Sequence, residues 1–228
     1  MFPLMQLQRR GILLVVSGPS GVGKGTLIKG VLAKYPQTRL SVSCTTRPPR
    51  PGEREGVDYF FLSPGEFERR RDGGALLEWA EVYPGLNYGT PRGPVEEALA
   101  QGEDIILEID DQGARQVRRL MGERAVLVFV APPSFAELCR RLAGRKTESA
   151  EQLRARLTAE RAKIADMGAY DYVIVNDQVA PATERLEAVL LAQQVAHAVV
   201  DWQSLRAALL AEADSALTGA AGEVRADG

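Results

Sequence analysis

Ten residues, Ser17-Gly18-Pro19-Ser20-Gly21-Val22-Gly23-Lys24-Gly25-Thr26, constrain this chain more than any other stretch. They follow the apolar run Ile12-Leu13-Leu14-Val15-Val16, which reads as a strand buried on both faces. They precede Leu27-Ile28-Lys29-Gly30-Val31-Leu32-Ala33, which reads as a helix. A strand, a glycine-rich turn and a helix N-terminus together make an anion cradle. Glycines let the backbone turn its amides inward, and the helix end adds partial positive charge. The spacing of Gly18 and Gly23-Lys24 places a full positive charge at the outer phosphates of a nucleotide. Gly18, Pro19, Ser20, Gly21, Val22, Gly23, Lys24, Gly25 and Thr26 are therefore the expected nucleotide-phosphate loop, with Lys24 its expected catalytic charge.

The residue after such a lysine ordinarily carries a hydroxyl for Mg2+. Here it is Gly25, and the hydroxyl arrives at Thr26, the expected metal contact. Further apolar runs at Ile105–Ile109, Ala125–Val130 and Tyr172–Val175 read as parallel strands separated by helical patterns, with Leu40–Ser43 as a fifth. The class is α/β with a parallel sheet core. The formal net charge of −2 argues against a nucleic-acid binder, and no apolar run reaches the roughly 20 residues of a membrane span. Two cysteines are too few for a disulfide framework, and the N-terminus lacks the charged start of a signal peptide. A cytoplasmic enzyme with small-molecule substrates is expected. Cys139 reads as core, and His197, in a late helical pattern, as structural.

A second feature is Thr45-Thr46-Arg47-Pro48-Pro49-Arg50-Pro51-Gly52-Glu53. Prolines stiffen this loop, so clamping an anion costs less chain entropy. The planar fork of arginine suits phosphate oxygens, which makes Arg47 and Arg50 a candidate clamp, with Tyr59 and Tyr88 as phenolic donors.

Here the chain resembles the guanylate kinases. The resemblance runs through Thr45-Thr46-Arg47, Arg50, Glu53, Gly56, Tyr59 and Phe61, then Leu77-Glu78-Trp79-Ala80 and Asn87-Tyr88-Gly89-Thr90. It continues through Leu107-Glu108-Ile109-Asp110, Ala131-Pro132-Pro133-Ser134, Arg141, Arg145 and Ile174-Val175-Asn176-Asp177, and covers residues 10 to 207. It implies the P-loop nucleoside-monophosphate kinase fold and the reaction ATP + GMP = ADP + GDP in purine metabolism, with Mg2+. Arg47, Arg50, Tyr59 and Tyr88 are implied to hold the acceptor phosphate. Ser43, Glu78, Thr90 and Asp110 are implied to be the remaining GMP contacts. A carboxylate such as Glu78 can accept both N1–H and N2–H of guanine, a donor pair that adenine lacks. Asn176 is implied on the ATP side. Arg141, Arg145 and Arg156 are implied to form a lid, with Arg47, Arg141 and Arg156 catalytic through charge neutralisation.

The expected organisation is a core of residues 10–42, 95–136 and 159–207, a GMP-binding insertion over 43–94, and a lid over 137–158. The tail, 208–228, is expected to lack fixed structure. Two other readings stay open: a non-catalytic guanylate-kinase-like binding module, and a kinase for another nucleoside monophosphate.

Overall fold

A computed structural model describes residues 9–83, 85–143, 150–196 and 200–223 of the chain. Its centre is a five-stranded sheet. The strands are β1 (Leu13–Ser17), β2 (Arg39–Leu40), β7 (Ile105–Glu108), β8 (Ala125–Ala131) and β9 (Tyr172–Val175). Their order is β2-β7-β1-β8-β9, and every pairing is parallel. Alternate residues of a strand point to opposite faces, so β1 feeds two cores. Leu14 and Val16 pack with Ile28 and Val31 of α1 (Lys24–Lys34) and with Leu186 and Leu190 of α7 (Val179–Gln194). Leu13 and Val15 pack with Val95 and Ala98 of α3 (Arg92–Ala100) and with Ala114 and Val117 of α4 (Asp111–Met121). Both faces are thereby dry, which is why β1 reads as an unbroken apolar run.

Between Cys44 and Pro91 the chain builds a second sheet, of order β4-β3-β6-β5. Its strands are β3 (Cys44–Thr45), β4 (Phe60–Phe61), β5 (Leu76–Tyr83) and β6 (Leu86–Pro91). The helix α2 (Pro64–Asp72) backs it. Ser63 caps that helix by accepting the Glu66 amide, and Pro64 starts it. The apolar core here is small: Cys44, Phe67 and Leu76, with Phe60 and Leu62 beside them. Two further helices, α5 (Phe135–Ala143) and α6 (Ala150–Ala165), follow β8, and α8 (Trp202–Glu223) ends the described chain.

Three expectations need correction. The expected fifth strand over Leu40–Ser43 straddles two sheets: β2 stops at Leu40 and β3 starts at Cys44. The Ser41 amide still donates to the Ile106 carbonyl, after which the chain crosses to the second sheet. Cys139 is only partly buried, while its helix neighbours Leu138 and Leu142 fill the core. Where the sequence suggested a structureless tail from residue 208, α8 runs on to Glu223. Alanine is the strongest helix former, so a weak apolar period does not preclude a helix. His197 and residues 224–228 lie outside the described residues.

Candidate functional site

The turn after β1 shows why its glycines are where they are. Gly18, Gly21 and Gly23 have φ of 135°, 77° and 99°, all in the region that side chains avoid. A Cβ at Gly18 would run into the Val130 carbonyl, and one at Gly23 would come 2.5 Å from Asn176 Nδ2. Gly23 is the N-cap of α1, so the helix end opens into the turn. Lys24 Nζ donates to the Gly18 and Pro19 carbonyls at 2.9 and 3.1 Å. Burial pushes its pKa down, and the nearby Glu108 carboxylate works against that. A Cβ at Gly25 would sit 3.2 Å from Glu108 Oε2, a tight contact that a small shift of the exposed Glu108 side chain relieves. Thr26, one residue on, is exposed at the head of α1.

Behind the turn, Asn176, just past β9, donates from Nδ2 to the Val22 carbonyl at 2.8 Å. Arg141 of α5 donates to the same carbonyl and to that of Asn176, both at 3.3 Å, and its Nε donates to Glu137. On the other side, α6 meets Ser20 twice. Arg156 donates to Ser20 Oγ at 2.7 Å, and the Ser20 amide donates to Glu160 Oε2 at 3.1 Å. Arg145 lies outside the described residues.

The facing wall comes from the second sheet. The β5–β6 register pairs Glu78 with Thr90, and Thr90 Oγ1 donates to Glu78 Oε1 at 2.6 Å. Glu78 is buried, with 4% of its surface exposed. A Cβ at Gly113 would collide with its second oxygen. Desolvation pushes the Glu78 carboxyl up to about 7, partly offset by the Thr90 hydroxyl. Asp110 caps α4 by accepting the Gly113 amide at 2.9 Å, and burial pushes its pKa up as well. Tyr88 and Tyr59 meet edge to face, with ring centroids 6.1 Å apart. Arg47 Nε donates to Tyr88 Oη at 3.2 Å, and its carbon Cζ lies 5.3 Å from the centre of the Tyr59 ring. Its other two nitrogens form a fork on Glu53, at 3.0 and 2.8 Å.

One cleft of about 440 Å³ joins the two walls. Gly18, Ser20, Gly21 and Lys24 line one end, and Ser43, Tyr59, Glu78 and Tyr88 the other, with Glu108 and Asp110 also in its wall. Of the expected residues, Thr90 stands behind Glu78, and Arg47 joins through Tyr88. Arg50 is exposed and outside the lining; its amide donates to Glu53. Asn176 and Arg141 act on the turn from behind it. Among the described residues, no group of three or more His, Cys, Asp or Glu side chains could hold a metal ion. The oxygen donors of Thr26, Glu108 and Asp110 are the hard ligands that Mg2+ accepts alongside phosphate oxygens.

Sequence reasoning passed over three residues that the structure puts to use. Glu53 fixes the Arg47 fork and, through one of the same oxygens, the Arg50 amide. Glu160 brings α6 to the phosphate turn, and Lys163 lines the cleft. The signal for α6 was its spacing: Arg156, Glu160 and Lys163 recur at i, i+4 and i+7, on one helix face.

The family model described as guanylate kinase matches residues 10–193 of the chain. A guanylate kinase of Symbiobacterium thermophilum is 55% identical over 185 residues, which are 81% of this chain and 87% of that protein. One of Rhizobium etli is 49% identical over 191 residues, 84% of this chain and 86% of that protein. The crystal structure of a guanylate kinase from Anaplasma phagocytophilum superposes with a TM-score of 0.72 at 36% identity, covering 86% of this chain and 92% of that one.

Proposed function

The chain belongs to the guanylate kinase family, and from that premise we propose which residues carry each part of the reaction ATP + GMP = ADP + GDP. The donor phosphates lie on the turn from Gly18 to Thr26, with Lys24 leaving its two loop carbonyls to meet the transferring group. The acceptor lies across the cleft. Its phosphate meets Tyr59, Tyr88 and Arg47, whose fork is held by Glu53, and Arg50 closes over it from the exposed side. Glu78, ionised, accepts the two donors of the guanine edge. Thr90 fixes the orientation of that carboxylate, while Ser43 and Asp110 complete the pocket.

Arg141 and Arg156 stand against the turn already. Closure of residues 137–158, with Arg145, brings their charge onto the donor phosphates and excludes water. Residues 43–94 act as the acceptor-binding unit, and residues 10–42, 95–136 and 159–207 as the core that carries the donor. Mg2+ bound with ATP would neutralise phosphate charge; Thr26 and Glu108 are the residues to hold it, directly or through water. No helix among the described residues is long and apolar enough to cross a membrane, and the free Cys44 and Cys139 accord with a cytoplasmic enzyme.

The observation that carries this reading is the single cleft, with a phosphate turn at one end and a buried carboxylate at the other. A non-catalytic binding module would have no use for an intact Lys24 and its cradle. A coupled assay of ADP formation with GMP, AMP, CMP and UMP tests it. GMP should exceed AMP by about 10⁴-fold in kcat/KM, since the wrong base leaves a buried acceptor unpaired. Equal turnover of AMP would refute the base assignment, and no turnover at all would leave only the binding module.

A further inference from the structure

The helix α6 turns Arg156, Glu160 and Lys163 toward the site, and the first two of them hold the phosphate turn. Arg156 takes the hydroxyl of Ser20 and Glu160 its amide. Lys163, one turn further along the same face, reaches past them into the cleft wall beside Lys24, Glu108 and Asp110. Its side chain is 20% exposed, while Glu160 beside it is 4% exposed. Lys163 meets both Glu160 oxygens at 3.3 Å, and Glu160 also accepts the Ser20 amide at 3.1 Å. Glu160 therefore joins the turn to Lys163, whose ammonium has three donors and also lines the cleft.

Two ammonium groups then face one cleft. Lys163, Lys24 and Asp110 line the same cleft, so their charges act on one another across it. Bringing two like charges together costs free energy unless an anion joins them, and the substrates of this site carry several phosphate groups.

We propose that Lys163 is a further phosphate-binding catalytic residue, whose ammonium group meets an oxygen of the phosphoryl group in transit alongside Lys24. The proposal rests on the phosphotransferase reading above. In the step itself, the bond from the γ-phosphorus to the oxygen of the departing ADP breaks as the bond to a GMP phosphate oxygen forms. Lys163 remains an ammonium throughout and exchanges no proton. Glu160 is a positioning residue: it ties α6 to Ser20 and sets the reach of Lys163.

Steady-state kinetics with ATP and GMP, alongside thermal unfolding, test this in wild type, Lys163→Gln and Lys163→Arg. Lys163→Gln should lower kcat by about 10- to 100-fold, the loss of one charge-assisted contact. Its Tm should move by no more than about 4 °C, as for a partly exposed ion pair. Lys163→Arg keeps the charge and should recover part of the lost turnover. Wild-type kcat in Lys163→Gln overturns the proposal. A loss of turnover that Lys163→Arg does not relieve, with an equal fall in Tm for both variants, also overturns it and leaves Lys163 a partner of Glu160 alone. Failure of the wild type to phosphorylate GMP would instead overturn the reading beneath it.

Discussion

The wall of the cleft that holds the phosphate turn is made of backbone, and the wall facing it is made of side chains. The turn gets its shape from three positive-φ glycines and rests on β1, a strand buried on both faces between two apolar clusters. The other wall takes its shape from Glu78, Thr90, Tyr59, Tyr88, Arg47 and Glu53, held by contacts with one another. Beneath it lies a core of three buried residues. A backbone cradle suits a phosphate chain, which any nucleoside triphosphate shares. Base identity needs side chains, because only they can present a particular pattern of donors and acceptors. The wall that discriminates is also the wall with less apolar core to hold it still.

The strongest way to break this comparison is at Lys24, the side chain that gives the backbone wall its full charge. Lys24→Ala should lower kcat by about 10³-fold or more, by analogy with other charges placed on a transferring phosphoryl group, and leave the fold intact by circular dichroism. A folded variant with over half of wild-type turnover would show that the backbone alone suffices. Next comes Glu78→Gln, which swaps one acceptor oxygen for an amide donor at nearly unchanged shape. It should lower kcat/KM for GMP by about 10- to 150-fold and leave KM for ATP near wild type. An equal change in both substrates would place Glu78 outside the acceptor site.

The third effect is smaller and follows from burial. With the Glu78 carboxyl near 7, GMP binding needs the ionised form, so kcat/KM for GMP should fall about tenfold between pH 8 and pH 6. Glu78→Gln does not titrate there and should flatten that limb; an identical slope in the variant would assign it to another group. Stability should move the opposite way. The folded-state value lies above the ordinary 4.5, so between 4.5 and about 7 the fold keeps a proton that the unfolded chain releases. This group's contribution to stability therefore declines as pH rises through that window. The smallest effect concerns rigidity itself. Amides of β3 and β6 should exchange with deuterium faster than those of β1 and β8, by roughly fivefold or about 1 kcal/mol in local opening free energy. Adding GMP should narrow the gap. Equal protection in both sheets would remove the contrast in stiffness.

The same contrast governs what the sequence reveals. The phosphate turn was legible because its chemistry is local: a buried strand, glycines at fixed spacing and a helix follow one another over residues 12–33. Glu78 carried no such signal. A carboxylate in a strand looks like any surface residue until register pairs it with Thr90 and Gly113 closes over it. It was identified by resemblance alone, and Glu53 was quoted within that resemblance without its task of fixing Arg47. The crossing from β2 to β3 was misjudged because a run of alternating polarity cannot say which of two sheets it joins. Lys163 was passed over for a related reason. Charges at i, i+4 and i+7 look like a solvated helix face, and only the packing of α6 against Ser20 turns that face inward.

The brace from Asn176 to the Val22 carbonyl spans 154 positions of the chain. A ribosome delivers the two partners at very different times. When the phosphate turn leaves the exit tunnel its strand has neither neighbour, since β7 and β8 begin at Ile105 and Ala125. The clasp that holds the turn closed comes still later, just after β9. A nascent chain that stops short of Asn176 carries the full glycine motif but lacks this brace on the turn. The turn is fastened from behind only once the chain has been made through Asn176.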